Sequence, residues 1–339
     1  MTDDSETDRS YNLTRRKALV GSGGLFAGLA GCIGGDPQNG DTGGNGDTGS
    51  NGDTAGDGEF TVFATMPAVW DFVRQVAGDH MDVIDLVPVG EHGHDWNPEP
   101  GTVQELERAD GFVYLRDFST WQDDAARQLE EEEGVVVIEA SEGIEFFDSE
   151  VEENDEHWWM DPIECQSGVL NIAEGIGEID PDHADDYEAN AVSFNGELEA
   201  VHGEFEDIVD RARLNEIVVG THDSFQWWNK RYGIDIYSPV GTSPDDAASP
   251  QDVQEIEELI EEFGVEHILY DVGEPATLAE DLANEVEAEI LPLSPVETQI
   301  DGSPNLDTGL QMESDWGYVD HFREINLPSI ETALQAEEN

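Results

Sequence analysis

From residue 59 onward, short apolar runs alternate with helix-length amphipathic segments, and this alternation restricts the chain to an α/β architecture built on parallel strands. In the first half, strands are predicted over 59–65, 83–89, 111–115 and 135–138, with helices starting at Pro67 and over 103–109 and 121–132. In the second half, strands are predicted over 217–219, 234–237, 267–270 and 290–293. Helices there follow Phe225, run from a Ser249-Pro250 cap to Phe263, span 278–286, and close the chain over 318–336. Between the halves, 162–176 reads as one helix and Asp180-Pro181 opens another that reaches Leu214. About thirty residues at 1.5 Å each span about 45 Å, enough to join two domains. Gly196 and Gly203 each weaken that helix by about 1 kcal/mol. The expected fold is therefore α/β, two lobes, each a mainly parallel sheet flanked by helices, joined by one long bridging helix. The boundaries are 59–179, 180–214 and 215–339, with no sequence repeat between the lobes.

Charge excludes one class of partner. The chain has 13 basic against 80 acidic residues and a formal charge of −67. Nucleic acid is excluded, because phosphate binding needs clustered Lys and Arg. Disorder is the ordinary outcome of such acidity, but recurring apolar patterns and eight tryptophans argue for a folded core. A carboxylate-coated surface resembles that of proteins from halophilic archaea. The two cysteines, Cys32 and Cys165, give no disulfide framework, and Cys165 reads as a small buried residue.

The amino terminus carries an address. Arg15-Arg16-Lys17 precedes an uncharged run from Ala18 to Ala30, too short to cross a membrane comfortably. The arginine pair resembles a twin-arginine export signal, and Leu29-Ala30-Gly31-Cys32 resembles a lipobox. Residues 1–32 are thus expected to be a signal, with lipid attached at Cys32 and the mature protein tethered to the outer face of the cell membrane. Residues 33–58, with a six-residue Gly-Asp-Thr repeat, read as a flexible linker.

Three histidines stand on three separate loops. His94 lies in Gly90-Glu91-His92-Gly93-His94-Asp95-Trp96, His157 in Asp155-Glu156-His157-Trp158-Trp159, and His222 in Gly220-Thr221-His222-Asp223-Ser224. The first and third follow strand-like runs, and open α/β sheets bind ligands past the carboxyl ends of their strands. If the loops converge, their imidazoles meet within about 4 Å and hold a metal. Three imidazoles favour zinc over calcium or magnesium. Such binding needs neutral rings and is expected to weaken below about pH 6. His80, His183, His202, His267 and His321 read as ordinary turn, helix and strand residues. The acidic stretch 142–156 reads as a solvated segment.

With these motifs in view, residues 59–336 resemble a metal-binding lipoprotein of an ABC uptake transporter, of the zinc and manganese binding-protein family. The resemblance rests on Gly90 through Pro100, on Asp155 through Pro162, on Thr221-His222-Asp223-Ser224-Phe225, and on Asp180-Pro181 with Tyr187-Glu188-Ala189-Asn190. It implies metal ligands at His94, His157 and His222, with His92 a nearby alternate. It also implies an ion in the cleft between the lobes, small movements on loading, and a membrane permease and its ATPase as partners. Many members supply a fourth ligand from an Asp-Pro pair after the last strand. Here the pair is Ser294-Pro295, leaving Glu297, Asp271 or water for that position.

The expected role is that of an extracytoplasmic, non-enzymatic carrier of zinc, with manganese or iron as the alternative cargo. A secreted zinc-dependent hydrolase with Glu156 or Asp223 as base is the competing class, and an adhesin or organic-solute receptor a third.

Overall fold

The computed structural model describes residues 60–337, except 95, 132–133, 150, 243–247 and 305–308. The expected export signal, Cys32 and the linker lie outside the described residues.

The first lobe runs β1 Phe60–Ala64, α1 Pro67–Ala77, β2 Met81–Asp85, α2 Pro100–Leu106, β3 Gly111–Tyr114, α3 Thr120–Glu130 and β4 Val136–Glu139. Then come α4 Pro162–Ile179 and α5 Ala184–Arg211. The second lobe runs β5 Glu216–Val219, α6 Gln226–Tyr232, β6 Asp235–Tyr237, α7 Pro250–Phe263, β7 His267–Asp271, α8 Thr277–Val286 and β8 Glu289–Leu293, and ends with α9 Tyr318–His321 and α10 Leu327–Ala333.

Both sheets are wholly parallel and share one topology, β2-β1-β3-β4 and β6-β5-β7-β8. Each first strand sits inside its sheet, so the chain turns to one side and then the other. That reversal opens a crevice at the carboxyl ends of the strands. Every loop carrying a candidate ligand leaves one of those ends, except that His157 stands well after β4. The second strand ends earlier than expected. Pro88 has no amide to donate, and Asp85 accepts the Val87 amide at 3.0 Å, turning the chain out of the sheet.

Helix α5 follows a simple apolar seam. Tyr187, Ala191, Phe194, Leu198, Val201, Phe205 and Ile208 are buried, alternately four and three residues apart. Gly196 and Gly203 fall on its exposed face. The helix packs against α4, α1 and α10. Its 28 residues span about 42 Å.

The closing helix runs without a gap from Tyr318 to Ala333 but changes its winding midway. Pro328 cannot donate an amide within it, and Phe322–Asn326 widens into a π-type turn between α9 and α10. The freed Asn326 side chain accepts the Ser294 amide and donates to the Ser294 carbonyl, both at 2.8 Å.

Tryptophans tie the lobes together. Trp158, Trp159, Trp227 and Trp228 are fully buried. Trp159 Nε1 donates to the Pro295 carbonyl at 2.8 Å, and Trp228 Nε1 to the Met160 carbonyl at 2.8 Å. Arg231 Nε donates to Asp161 Oδ2 at 2.7 Å, while Asp161 Oδ1 caps α4 at the Ile163 amide. One continuous apolar cluster contains side chains of both lobes. Separating them would expose that cluster and break these hydrogen bonds together, which opposes wide hinge motion.

Candidate metal centre

His157 is the most constrained of the three imidazoles. The acidic stretch before it is not wholly solvated: Ile144, Asp155 and Glu156 are buried, and Asp155 pairs with Phe147 in an antiparallel bridge. That bridge places Asp155 Oδ1 3.0 Å from His157 Nδ1, where it also accepts the His157 amide at 3.0 Å and Trp227 Nε1 at 3.2 Å. With Nδ1–H donated to a carboxylate, Nε2 carries the lone pair into the centre.

His222 is set by a close approach of helix and strand. A Cβ at Gly220 would lie 2.6 Å from Ala279 Cα, so only glycine lets α8 pack on the end of β5. Just beyond it, His222 Nδ1 pairs with Glu274, and Nε2 faces Ser224 Oγ. His94 has a ring contact instead, tilted by 33° against Phe118 at 4.2 Å between centroids. Its loop is pinned across the cleft, because the Gly90 and Gly93 amides donate to the carbonyls of Gln299 and Glu297 at 2.8 and 3.1 Å.

The fourth member is Glu297. Donor atoms of His94, His157, His222 and Glu297 all lie within 4.8 Å of one another. His94 Nε2 and His157 Nε2 are 3.2 Å apart; Glu297 oxygens stand 3.5 Å from His94 Nε2 and 3.9 Å from Nε2 of both His157 and His222. Zinc with bonds of about 2.0–2.1 Å has tetrahedral edges of about 3.3 Å, so the cluster needs little contraction to hold one. All four side chains are buried or nearly so, and His94 is the most open at 11%.

Electrostatics favour a cation here. Burial works against charge on His157, yet the carboxylates of Glu156, Asp155 and Glu297 outweigh it and push its pKa up to about 9. His222 is also buried, and Glu274 and Glu297 raise it well above the ordinary value. Burial dominates at His94, which is pushed down to about 3 with the neighbouring imidazoles adding to the effect. Glu297, though buried, is held far below the usual carboxylate range by the imidazoles around it. Positive charge is thus stabilised at the centre of the cluster. Protons and a metal ion compete for it.

The other candidates fall elsewhere. Ser294 Oγ pairs with His321 Nδ1 at 2.7 Å and accepts the Val296 amide at 3.1 Å, so it lies outside the four-donor cluster. Asp271 pairs with His92 at 3.1 Å and also stays outside. Asp223 accepts Gln226 Nε2 at 2.6 Å and the Phe225 amide at 3.1 Å, and is not among the clustered donors. Glu156, pushed up to about 7 by burial, groups with Glu152 and His157 instead. Cys165 is buried, its thiol donating to the Trp159 carbonyl. His321 is not an ordinary helix residue: it is fully buried, and burial pushes it down to about 4. The sequence signal for Glu297 was its distance of three residues from Ser294-Pro295, which left it one of three options.

Two parallel α/β lobes with an imidazole-rich, cation-sized centre in the crevice between them define a two-lobed solute-binding protein. The family model described as ZnuA, zinc-uptake complex component A periplasmic, matches residues 62–324, and the chain belongs to that family. It is 27% identical over 288 residues to the high-affinity zinc uptake system protein ZnuA of Bacillus subtilis, covering 80% of this chain and 87% of that one. The zinc-binding lipoprotein AdcA of Streptococcus pneumoniae is 24% identical over 254 residues, 71% of this chain; the match spans half the length of AdcA. The crystal structure of AdcAII from Streptococcus pneumoniae superposes with a TM-score of 0.70 at 25% identity, over 83% of this chain and 100% of that one.

Proposed function

We propose that this chain captures one zinc ion with His94, His157, His222 and Glu297 and delivers it to the membrane permease of an ABC transporter driven by its ATPase. The observation that carries the reading is the meeting of these four donors at the crevice. Three imidazoles and one carboxylate suit zinc; manganese would be better served by more oxygen donors. The names of the Bacillus subtilis and Streptococcus pneumoniae relatives support zinc as cargo. The chain is read as a carrier rather than an enzyme: of the two bases named for the competing hydrolase class, Asp223 is taken up by Gln226 and the Phe225 amide, and Glu156 lies outside the four-donor cluster.

In this reading 59–179 and 215–339 are the lobes and 180–214 the connector. The protein is exported through a twin-arginine signal and held by lipid on Cys32 at the outer face of the membrane. The lipoprotein relative supports the anchor.

Calorimetric zinc titration of the exported chain tests the site. His222→Ala is expected to lower affinity by orders of magnitude with the melting transition retained. Unchanged binding would refute the assignment. Cys32→Ser is expected to move the protein from the membrane pellet to the soluble fraction.

A further inference from the structure

We propose that a second divalent transition-metal ion binds beside the first, held by His92, Asp271 and Glu274. The proposal builds on the reading of the four-donor cluster as the first site. Donor atoms of His92, His222, Asp271 and Glu274 all lie within 4.8 Å of one another. His92 Nε2 is 3.1 Å from Asp271 Oδ2, and these side chains are 6% and 1% exposed. The His222 ring stands between the two clusters, with Nε2 toward Glu297 and Nδ1 toward Glu274. A carboxylate has two oxygens, so Glu274 can hold that ring and reach an ion together.

A second observation points to a ligand at the seam. Among the described residues, Glu297 Oε2 and Thr298 Oγ1 are buried without a hydrogen-bond partner. Glu297 Oε2 is 3.6 Å from His92 Nε2 and 3.5 Å from His94 Nε2, beyond hydrogen-bonding reach of either. The first ion needs one oxygen of Glu297, and a carboxylate has two, so Glu297 can bridge from that ion to one on the His92 side. The 3.1 and 3.6 Å separations around His92 Nε2 bracket the roughly 3.3 Å edge of a zinc tetrahedron. The backbone is also shaped to fit. A Cβ at Gly273 would stand 2.4 Å from Thr298 Oγ1 and 3.3 Å from His92 Cδ2, so glycine is what lets the turn after β7 close on His92.

Charge does not oppose the geometry. Glu297, Asp271 and Glu274 together bring three negative charges, so one divalent ion leaves a net charge of −1 and two leave +1. One imidazole and two carboxylates make a harder, less imidazole-rich set than the first site. The second ion therefore binds more weakly and exchanges faster.

Cadmium-113 NMR of the full chain, with magnesium in excess over the surface carboxylates, reads the two sites separately. The expected result is two resonances at saturation, with the second absent in both His92→Ala and His92→Asn and the first present in each. Melting curves of both variants establish that they fold. A single resonance from the wild-type chain at saturation, or a second one that persists in both variants, would overturn the proposal. Absence of any resonance would overturn the first-site reading, and this one with it.

Discussion

Asp155 Oδ1 lies 3.0 Å from Nδ1 of His157, and both side chains are fully buried. The carboxylate selects the tautomer that turns Nε2 toward Glu297 and raises the basicity of the ring. Asp155→Asn keeps the shape and removes the charge. Zinc affinity is expected to fall about 10- to 100-fold, the usual cost of losing such a partner. Calorimetry checks this, with tryptophan fluorescence confirming the fold.

Glu297→Gln tests the fourth donor. The three imidazoles remain, but the amide supplies no negative charge to a buried cation. A loss of about 10-fold or more in zinc affinity is expected. A competition titration against a chelator of known affinity measures it, and unchanged affinity would give the position to water.

The dependence on pH follows from His157. Its pKa stands at about 9, above the ordinary 6.5, because of Glu156 and its other acidic neighbours, despite burial. Below that value the ion-free ring holds a proton that zinc must expel. Affinity is therefore expected to fall by about tenfold per pH unit for each proton displaced, starting near pH 9 rather than near 6. In the ion-free protein the sign reverses: the His157 contribution to stability is full below about 6.5 and is lost as pH rises through 9. Titrations in buffers of different ionisation enthalpy count the protons released, and zero release would contradict the account.

Trp159→Phe removes the indole N–H that reaches Pro295 in the opposite lobe, 2.8 Å away, and leaves most of the ring. The orphaned carbonyl and lost contact are expected to destabilise the fold by about 1–3 kcal/mol. Urea unfolding measures this. A change below about 0.3 kcal/mol would show that the bond does little to join the lobes.

With a formal charge of −67, self-repulsion opposes the compact state. Raising potassium chloride toward molar concentrations is expected to raise the melting temperature as the Debye length shrinks to about 3 Å. A flat or falling melting curve would argue against a salt-adapted surface.

The strand–helix alternation and the three histidine motifs were legible because each is local: periodicity sets an element, and a few adjacent residues set a loop. The seven-residue seam of α5 and the Ser249-capped start of α7 are of this kind, with Ser249 Oγ accepting the Asp252 amide. The fourth donor is different. Among 80 acidic residues, Glu297 differs from Asp271 only in which loop end it reaches, and backbone bonds from Gly93 and Ala68 across the crevice decide that. Likewise, no run of residues announces that His92 meets Asp271, or that a π-type turn ahead of Pro328 lets Asn326 hold Ser294. Those pairings join segments far apart along the chain, and only the packing of the two lobes brings their polar atoms within a few ångströms.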